Sequence, residues 1–136
     1  MTQEDKELLL KDLCARLPCG VKIKLIRWNI DEGLYINTTL EPDDIELLLN
    51  DKEGDTEIKS YLFPLSSMTE EQKKYIADRW GINEEFDFEI NPDWGEYFVE
   101  LGDIVDFIDW LNENHFDYRG LIGKGLAIDA TGLNIY

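Results

Sequence analysis

Apolar and polar positions change period several times along the chain, and each change predicts an element. Leu9, Leu13 and Leu17 recur at helical spacing with Leu10 and Cys14 beside them, the stripe of a helix with one buried face. Thr2, followed three residues later by Asp5, supplies the cap of that helix, and Pro18 and Gly20 end it. Period two follows: Val21, Ile23 and Leu25 alternate with Lys22 and Lys24 before the phase shifts to Ile26, Trp28 and Ile30, which predicts a strand with a bulge or bend. Asp31-Glu32-Gly33, Glu41-Pro42-Asp43-Asp44 and Asp51-Lys52-Glu53-Gly54-Asp55 are turn signals. They separate three further predicted strands, Leu34–Leu40, Ile45–Asn50 and Thr56–Phe63, giving an antiparallel meander or a small barrel. Beyond Pro64, Ser67 or Thr69 caps a helix through Trp80, Thr69 with Gln72 three residues on being a capping box, with Met68, Tyr75, Ile76 and Trp80 as its contacts and Gly81 as its stop.

Trp80–Tyr118 organises the second half: 39 residues with twelve carboxylates, ten of the sixteen aromatics and no Lys or Arg. A solvated tail would not carry Phe86, Phe88, Trp94, Phe98, Phe107 and Trp110, so the stretch is expected to be an acidic surface on an aromatic core. Acid and apolar residues alternate from Glu85 to Ile90, predicting a strand from which Glu85, Asp87 and Glu89 project together. Asn91-Pro92-Asp93-Trp94-Gly95 is a loop. A helix follows, with Asp103 as its cap and Ile104, Phe107, Ile108 and Leu111 as its apolar stripe, leaving Asp106, Asp109 and Glu113 outward. The tail from His115 to Tyr136 alternates glycines with Leu and Ile, too apolar for a disordered segment, and is expected to pack on the body as a short helix and an extended piece.

Length and charge narrow the classes. At 136 residues and 43% hydrophobic content, a single domain spanning 1–136 with its own core is expected. The formal net charge of −17 is uneven: residues 1–40 sum to zero, 41–118 to −18 and 119–136 to +1. Such a surface repels nucleic acid and anionic membrane, so no direct nucleic-acid binding is expected and a basic protein is the natural partner. The N-terminus has no basic and apolar leader pattern and no run approaches membrane-spanning length, which predicts cytoplasmic residence. Cys14 and Cys19 fit neither a redox nor a zinc spacing, so two reduced, partly buried thiols are expected.

Candidate chemistry is sparse. His115 is the one histidine, with Asp117 two residues on, and a His–Asp pair could orient a base; no nucleophile motif stands near it, and Ser66-Ser67 lacks the glycine flanks of a nucleophile elbow. Asp51, Glu53 and Asp55 start like an EF-hand loop, but Gly54 is misplaced and Leu62 stands where the bidentate Glu belongs. Asp103, Asp106, Asp109 and Glu113 are better explained as a solvated helix face than as a cation site, and no cofactor is implied. Gly120–Gly125 is not a Walker A loop, since its Lys precedes the last Gly.

Met1–Leu10, Tyr61–Gln72, and His115–Ile122 running into Gly125–Tyr136 resemble a family of short uncharacterised proteins encoded in gut bacterial genomes and their mobile elements. That resemblance implies an accessory role linked to phage or other mobile DNA, and no activity. The reading is an α+β fold: an N-terminal helix, a four- or five-stranded antiparallel sheet or small barrel, two further helices and a packed C-terminal segment. Its expected function is a non-enzymatic acidic protein that binds a basic partner through Glu85, Asp87, Glu89, Asp106, Asp109 and Glu113, in its sharper form by mimicking nucleic acid. A small hydrolase or metal-assisted enzyme using His115 and an oligomeric structural protein are the alternatives.

Overall fold

The computed structural model describes residues 2–28, 34–80 and 101–136. Helix α1 runs Gln3–Arg16, and Thr2, in extended conformation, accepts a hydrogen bond from the Asp5 N–H at 3.0 Å, so the first turn forms as the capping pattern predicts. Its buried face is Leu9, Asp12, Leu13 and Arg16, positions i, i+3, i+4 and i+7 of one helical stripe. A 3-10 turn at Leu17–Cys19 ends the helix, and Gly20 takes φ +69, a left-handed conformation that glycine adopts without a Cβ clash.

Strand β1 (Lys22–Arg27) pairs antiparallel with β2 (Leu34–Thr39) and with the first half of β3 (Thr56–Pro64). Both registers advance residue for residue, so the predicted bulge after Leu25 is absent. Leu25 and Ile26 are instead both buried, one on each face of the pleat, because successive side chains point to opposite sides. The apolar phase shift marks a strand covered on both faces.

Ile45–Asn50 corrects the sequence reading: it lies in helix α2, Pro42–Asn50, not in a strand. Glu41 caps it through a reciprocal box with Asp44, whose carboxylate accepts the Glu41 N–H at 2.9 Å, and Pro42 occupies the first turn. The four residues read as a turn are thus a helix start. Ile45 and Leu48 are buried while Leu49 is 57% exposed, a spacing of three that a strand would not produce. After α2 the Asp51 carboxylate accepts from the N–H groups of Asp55 and Thr56, each at 3.0 Å, and turns the chain into β3.

The sheet is mixed and open. Beyond its pairing with β1, β3 is joined in parallel by β5 (Ala127–Asp129), in register Ser60 to Ala127, and by β4 (Phe116–Asp117), in register Phe63 to Phe116. An all-antiparallel meander or barrel is therefore not formed. The long crossover through α3 (Glu70–Trp80) and α4 (Leu101–Glu113) returns the chain in the same direction as β3, as parallel pairing requires. Thr69 and Gln72 make the expected reciprocal box at the start of α3. Helix α4 is already formed at Leu101, so Asp103 lies inside it and does not cap it.

Among the described residues two apolar clusters result. One packs α1 and α2 on the sheet around Leu13, Ile23, Ile58 and Leu62; the other gathers Leu65, Met68, Ile76, Phe107, Leu111 and Phe116. The C-terminal segment packs as predicted, through turns and β5 in place of a short helix. Tyr136 anchors it: its hydroxyl donates to the Tyr61 carbonyl at 2.7 Å and accepts from the Lys22 N–H at 2.8 Å. Among the described residues no helix is long and apolar enough to cross a membrane.

Candidate functional site

Helix α4 separates its two faces as the sequence predicts. Phe107 and Leu111 are fully buried, whereas Asp106, Asp109 and Glu113 are exposed. Trp110 stacks on Tyr75, Phe107 and Phe116 and meets Trp80 edge-on, which fixes the helix rotation from below. Its outward carboxylates recur every three or four residues, about 4.5–6 Å along the axis. Arg79 Nη2 lies 3.8 Å from Asp106 Oδ2, with both side chains more than half exposed, a pair worth little in water. Burial first, then the Glu113 and Asp109 charges, raise the Cys19 thiol pKa, against the opposing effect of Arg16. Glu85, Asp87 and Glu89, the strand half of the predicted acidic surface, lie outside the described residues, as do the Asp31–Gly33 turn, the Asn91–Gly95 loop and Phe86, Phe88, Trp94 and Phe98.

His115 is packed, not poised. It has φ +62, its ring stacks on Tyr136 at 3.8 Å between centroids with 11° between planes, and its Nδ1 is buried with no hydrogen-bond partner among the described residues. Burial first, and the nearby Arg16 charge second, push its pKa down to about 4, so the ring is neutral at pH 7. Asp117, the partner considered for it, is committed elsewhere: its carboxylate accepts the N–H groups of Arg119, Leu121 and Ile122 at 3.0–3.2 Å. That carboxylate shapes the turn after β4. No group of three or more His, Cys, Asp or Glu among the described residues is placed to hold a metal ion. Cys14 is exposed and Cys19 half-buried, so only the second thiol has the partial burial expected of both.

Sequence reasoning missed two constellations. The first is buried: Asp12 and Arg16 are both 0% exposed, joined at 2.8 Å, and Arg119 Nε reaches the other Asp12 oxygen at 3.1 Å. Arg16 Nη2 also donates to the Phe116 carbonyl at 2.6 Å, and both guanidinium groups lie over the Tyr118 ring, whose hydroxyl donates to Asn112. This network ties α1 to β4 and hence one apolar cluster to the other. Its signal was present, because Asp12 and Arg16 fall on the same helical face as Leu9 and Leu13.

The second is a cleft of about 590 Å³ between the N-terminal turn of α1, the loop after α2, the outer end of β3 and the Lys124–Leu126 turn. Lys6, Lys52, Lys59 and Lys124 line it, with Trp28, which is 52% exposed. Asp5, Asp51 and Glu57 are the lining carboxylates. A smaller recess of about 370 Å³ shares Asp51, Lys52 and Thr56 with it and is lined by Arg27, whose Nε is buried without a hydrogen-bond partner among the described residues. His115 lines neither. No pattern in the sequence brings these lysines together, since they come from four separate segments. No known protein family, curated protein or solved structure matches the chain.

Proposed function

We propose that the protein is a non-enzymatic interaction protein whose acidic surface engages a basic protein partner. The observation that carries this reading is α4: Asp106, Asp109 and Glu113 project from a helix whose opposite face, Phe107 and Leu111, is fully buried. Charges held on a packed helix lose less conformational freedom on binding than charges on a loose tail, and a dense row of one sign steers an oppositely charged partner. Because the axial spacing approaches that of nucleic-acid phosphates, about 3.4 Å per strand, the partner in the sharper form is a nucleic-acid-binding protein for which this surface competes. Glu85, Asp87 and Glu89 extend the same surface in this proposal. The resemblance to short proteins of mobile elements supports an accessory role in that setting, and the packed, neutral state of His115 weighs against acid–base catalysis there.

The test is capture from host lysate at low and high salt by wild-type protein and by the triple variant D106N/D109N/E113Q, followed by identification of the bound chain. A basic nucleic-acid-binding protein should be retained at low salt, released at high salt, and lost with the variant. The purified partner should also bind DNA or RNA less well when wild-type protein is added. Retention unchanged by the triple variant sinks the reading.

A further inference from the structure

The six consecutive residues Leu34–Thr39 carry neither a charge nor a proline, in a chain with 30 acids and 13 bases. They form β2, the terminal strand of the sheet, and among the described residues β2 is paired with β1 alone. That pairing runs through all six positions without a bulge. Sheets commonly protect such an edge with short strands, charges, proline or a bulge. The opposite edge has that protection: β4 is two residues long and β5 three, and each ends on an aspartate. Strand β2 has none of it.

The register shows which backbone groups β2 turns outward. The Leu40 N–H donates to the Val21 carbonyl at 2.9 Å, so Leu40 faces β1, and the alternation of an antiparallel ladder turns Thr38 and Ile36 the same way. The N–H and C=O groups of Tyr35, Asn37 and Thr39 therefore point away from β1. Lys22, opposite Thr39, has the matching phase: its own N–H points away from β2 and donates to the Tyr136 hydroxyl at 2.8 Å. The outward groups of β2 are thus disposed symmetrically about Asn37. An edge of this kind complements itself, as a two-fold interface requires.

We infer that β2 pairs antiparallel with β2 of a second copy of this chain, about a two-fold axis at Asn37, to make one continuous sheet. Asn37 then faces the second copy's Asn37, and Tyr35 of each copy faces Thr39 of the other. Each of these pairs exchanges both of its backbone hydrogen bonds. The arrangement also keeps like charges apart in a chain of net charge −17. Glu41, the first acid after β2, lies four positions from the axis, so its two copies are separated by roughly 27 Å of extended chain. The two Thr39 residues, whose hydroxyls each hold a Lys22 ammonium at 3.0 Å, stand roughly 14 Å apart along the strands. Both separations exceed the Debye length of about 8 Å at physiological ionic strength. This inference is independent of the acidic face of α4.

Sedimentation velocity on the full chain near physiological salt, from about 5 to 500 µM, tests it. A monomer–dimer equilibrium is expected with Kd on the order of 10–100 µM, as suits a small interface. Asn37→Lys and Asn37→Asp should each weaken the dimer at least about fivefold, because the axis sets two like charges directly opposite one another. An equimolar mixture of the two variants should restore dimerisation, since Lys then faces Asp. The Asn37 side chain is exposed, and unchanged thermal melts confirm that both variants are folded. In hydrogen exchange, the Asn37 and Thr39 amides should be fast in dilute protein and slow at high concentration, with the Thr38 amide, bonded to β1, slow in both. A monomer throughout, a dimer that neither variant weakens or the mixture fails to restore, or Asn37 and Thr39 amides already slow in dilute protein overturns the inference.

Discussion

Removing Asp12 should be among the most damaging single changes in the described part of the chain. Its carboxylate, 0% exposed, is the anion for Arg16 at 2.8 Å and for Arg119 at 3.1 Å. Arg119 is 19% exposed and can recover water, but Arg16 is fully enclosed and its Nη1 already lacks a partner among the described residues. In Asp12→Leu the Arg16 charge stays buried without its anion, at a cost of about 3–5 kcal/mol. For a chain of this length, at about 2 cal/mol/K of unfolding entropy per residue, that loss lowers Tm by roughly 10–17 °C. The double variant D12L/R16M separates ion pairing from shape. It removes both buried charges and leaves the Phe116 carbonyl without the Arg16 donor, a loss of about 1–3 kcal/mol, so it should be no less stable than Asp12→Leu alone. Urea unfolding followed by circular dichroism at pH 7 measures both. A single variant within about 1 kcal/mol of wild type, or a double variant whose loss equals the sum of Asp12→Leu and Arg16→Met, refutes the account, because contacting partners must be non-additive.

Two further outcomes are expected. His115 has its pKa lowered from 6.5 to about 4, so the unfolded chain binds the proton more readily; the resulting stability is fully present above about pH 6.5 and is lost as pH falls toward 4, by about 2–3 kcal/mol. His115→Asn, which tolerates the left-handed backbone, should remove that component from the difference in urea-unfolding free energy between pH 7.5 and 4.5, and an unchanged difference would contradict it. In α2, Leu48 is 1% and Leu49 57% exposed, so Leu48→Ala should cost about 2–5 kcal/mol and Leu49→Ala less than about 0.5 kcal/mol; comparable losses would contradict the helical placement of these residues.

The acidic helix face was legible because it is a local property. Once Phe107 and Leu111 are assigned to the buried stripe of α4, the 3.6-residue period places Asp106, Asp109 and Glu113 opposite them. The lysine cleft was not legible, because Lys6, Lys52, Lys59 and Lys124 meet only through the packing of α1 against the sheet and the return of the C-terminal turn. His115 illustrates the same limit. Its spacing from Asp117 suggested a catalytic pair, while the fold turns the carboxylate toward backbone N–H groups and stacks the imidazole on Tyr136, 21 positions farther along.

By itself the sequence determined whatever depends on neighbours three or four residues apart. The Thr2 cap, the Thr69–Gln72 box, the stop at Gly20, the strands at Lys22–Arg27 and Thr56–Pro64 and the amphipathic character of α4 all follow from side chains that act on their own turn or pleat. Tertiary structure decided where local signals were degenerate or where partners are distant. Ile45–Asn50 is an apolar run too short to distinguish strand from helix by periodicity, and its helical state accompanies the Glu41–Asp44 box and the burial of Ile45 and Leu48. The parallel pairing of β4 and β5 with β3 depends on the direction in which a long crossover returns, which no local pattern encodes. The burial of Arg16 required an anion from its own helix, Asp12, together with a carbonyl from Phe116, a hundred positions away; only the closed fold supplies both, and a guanidinium is stable in the interior only when such partners are in place.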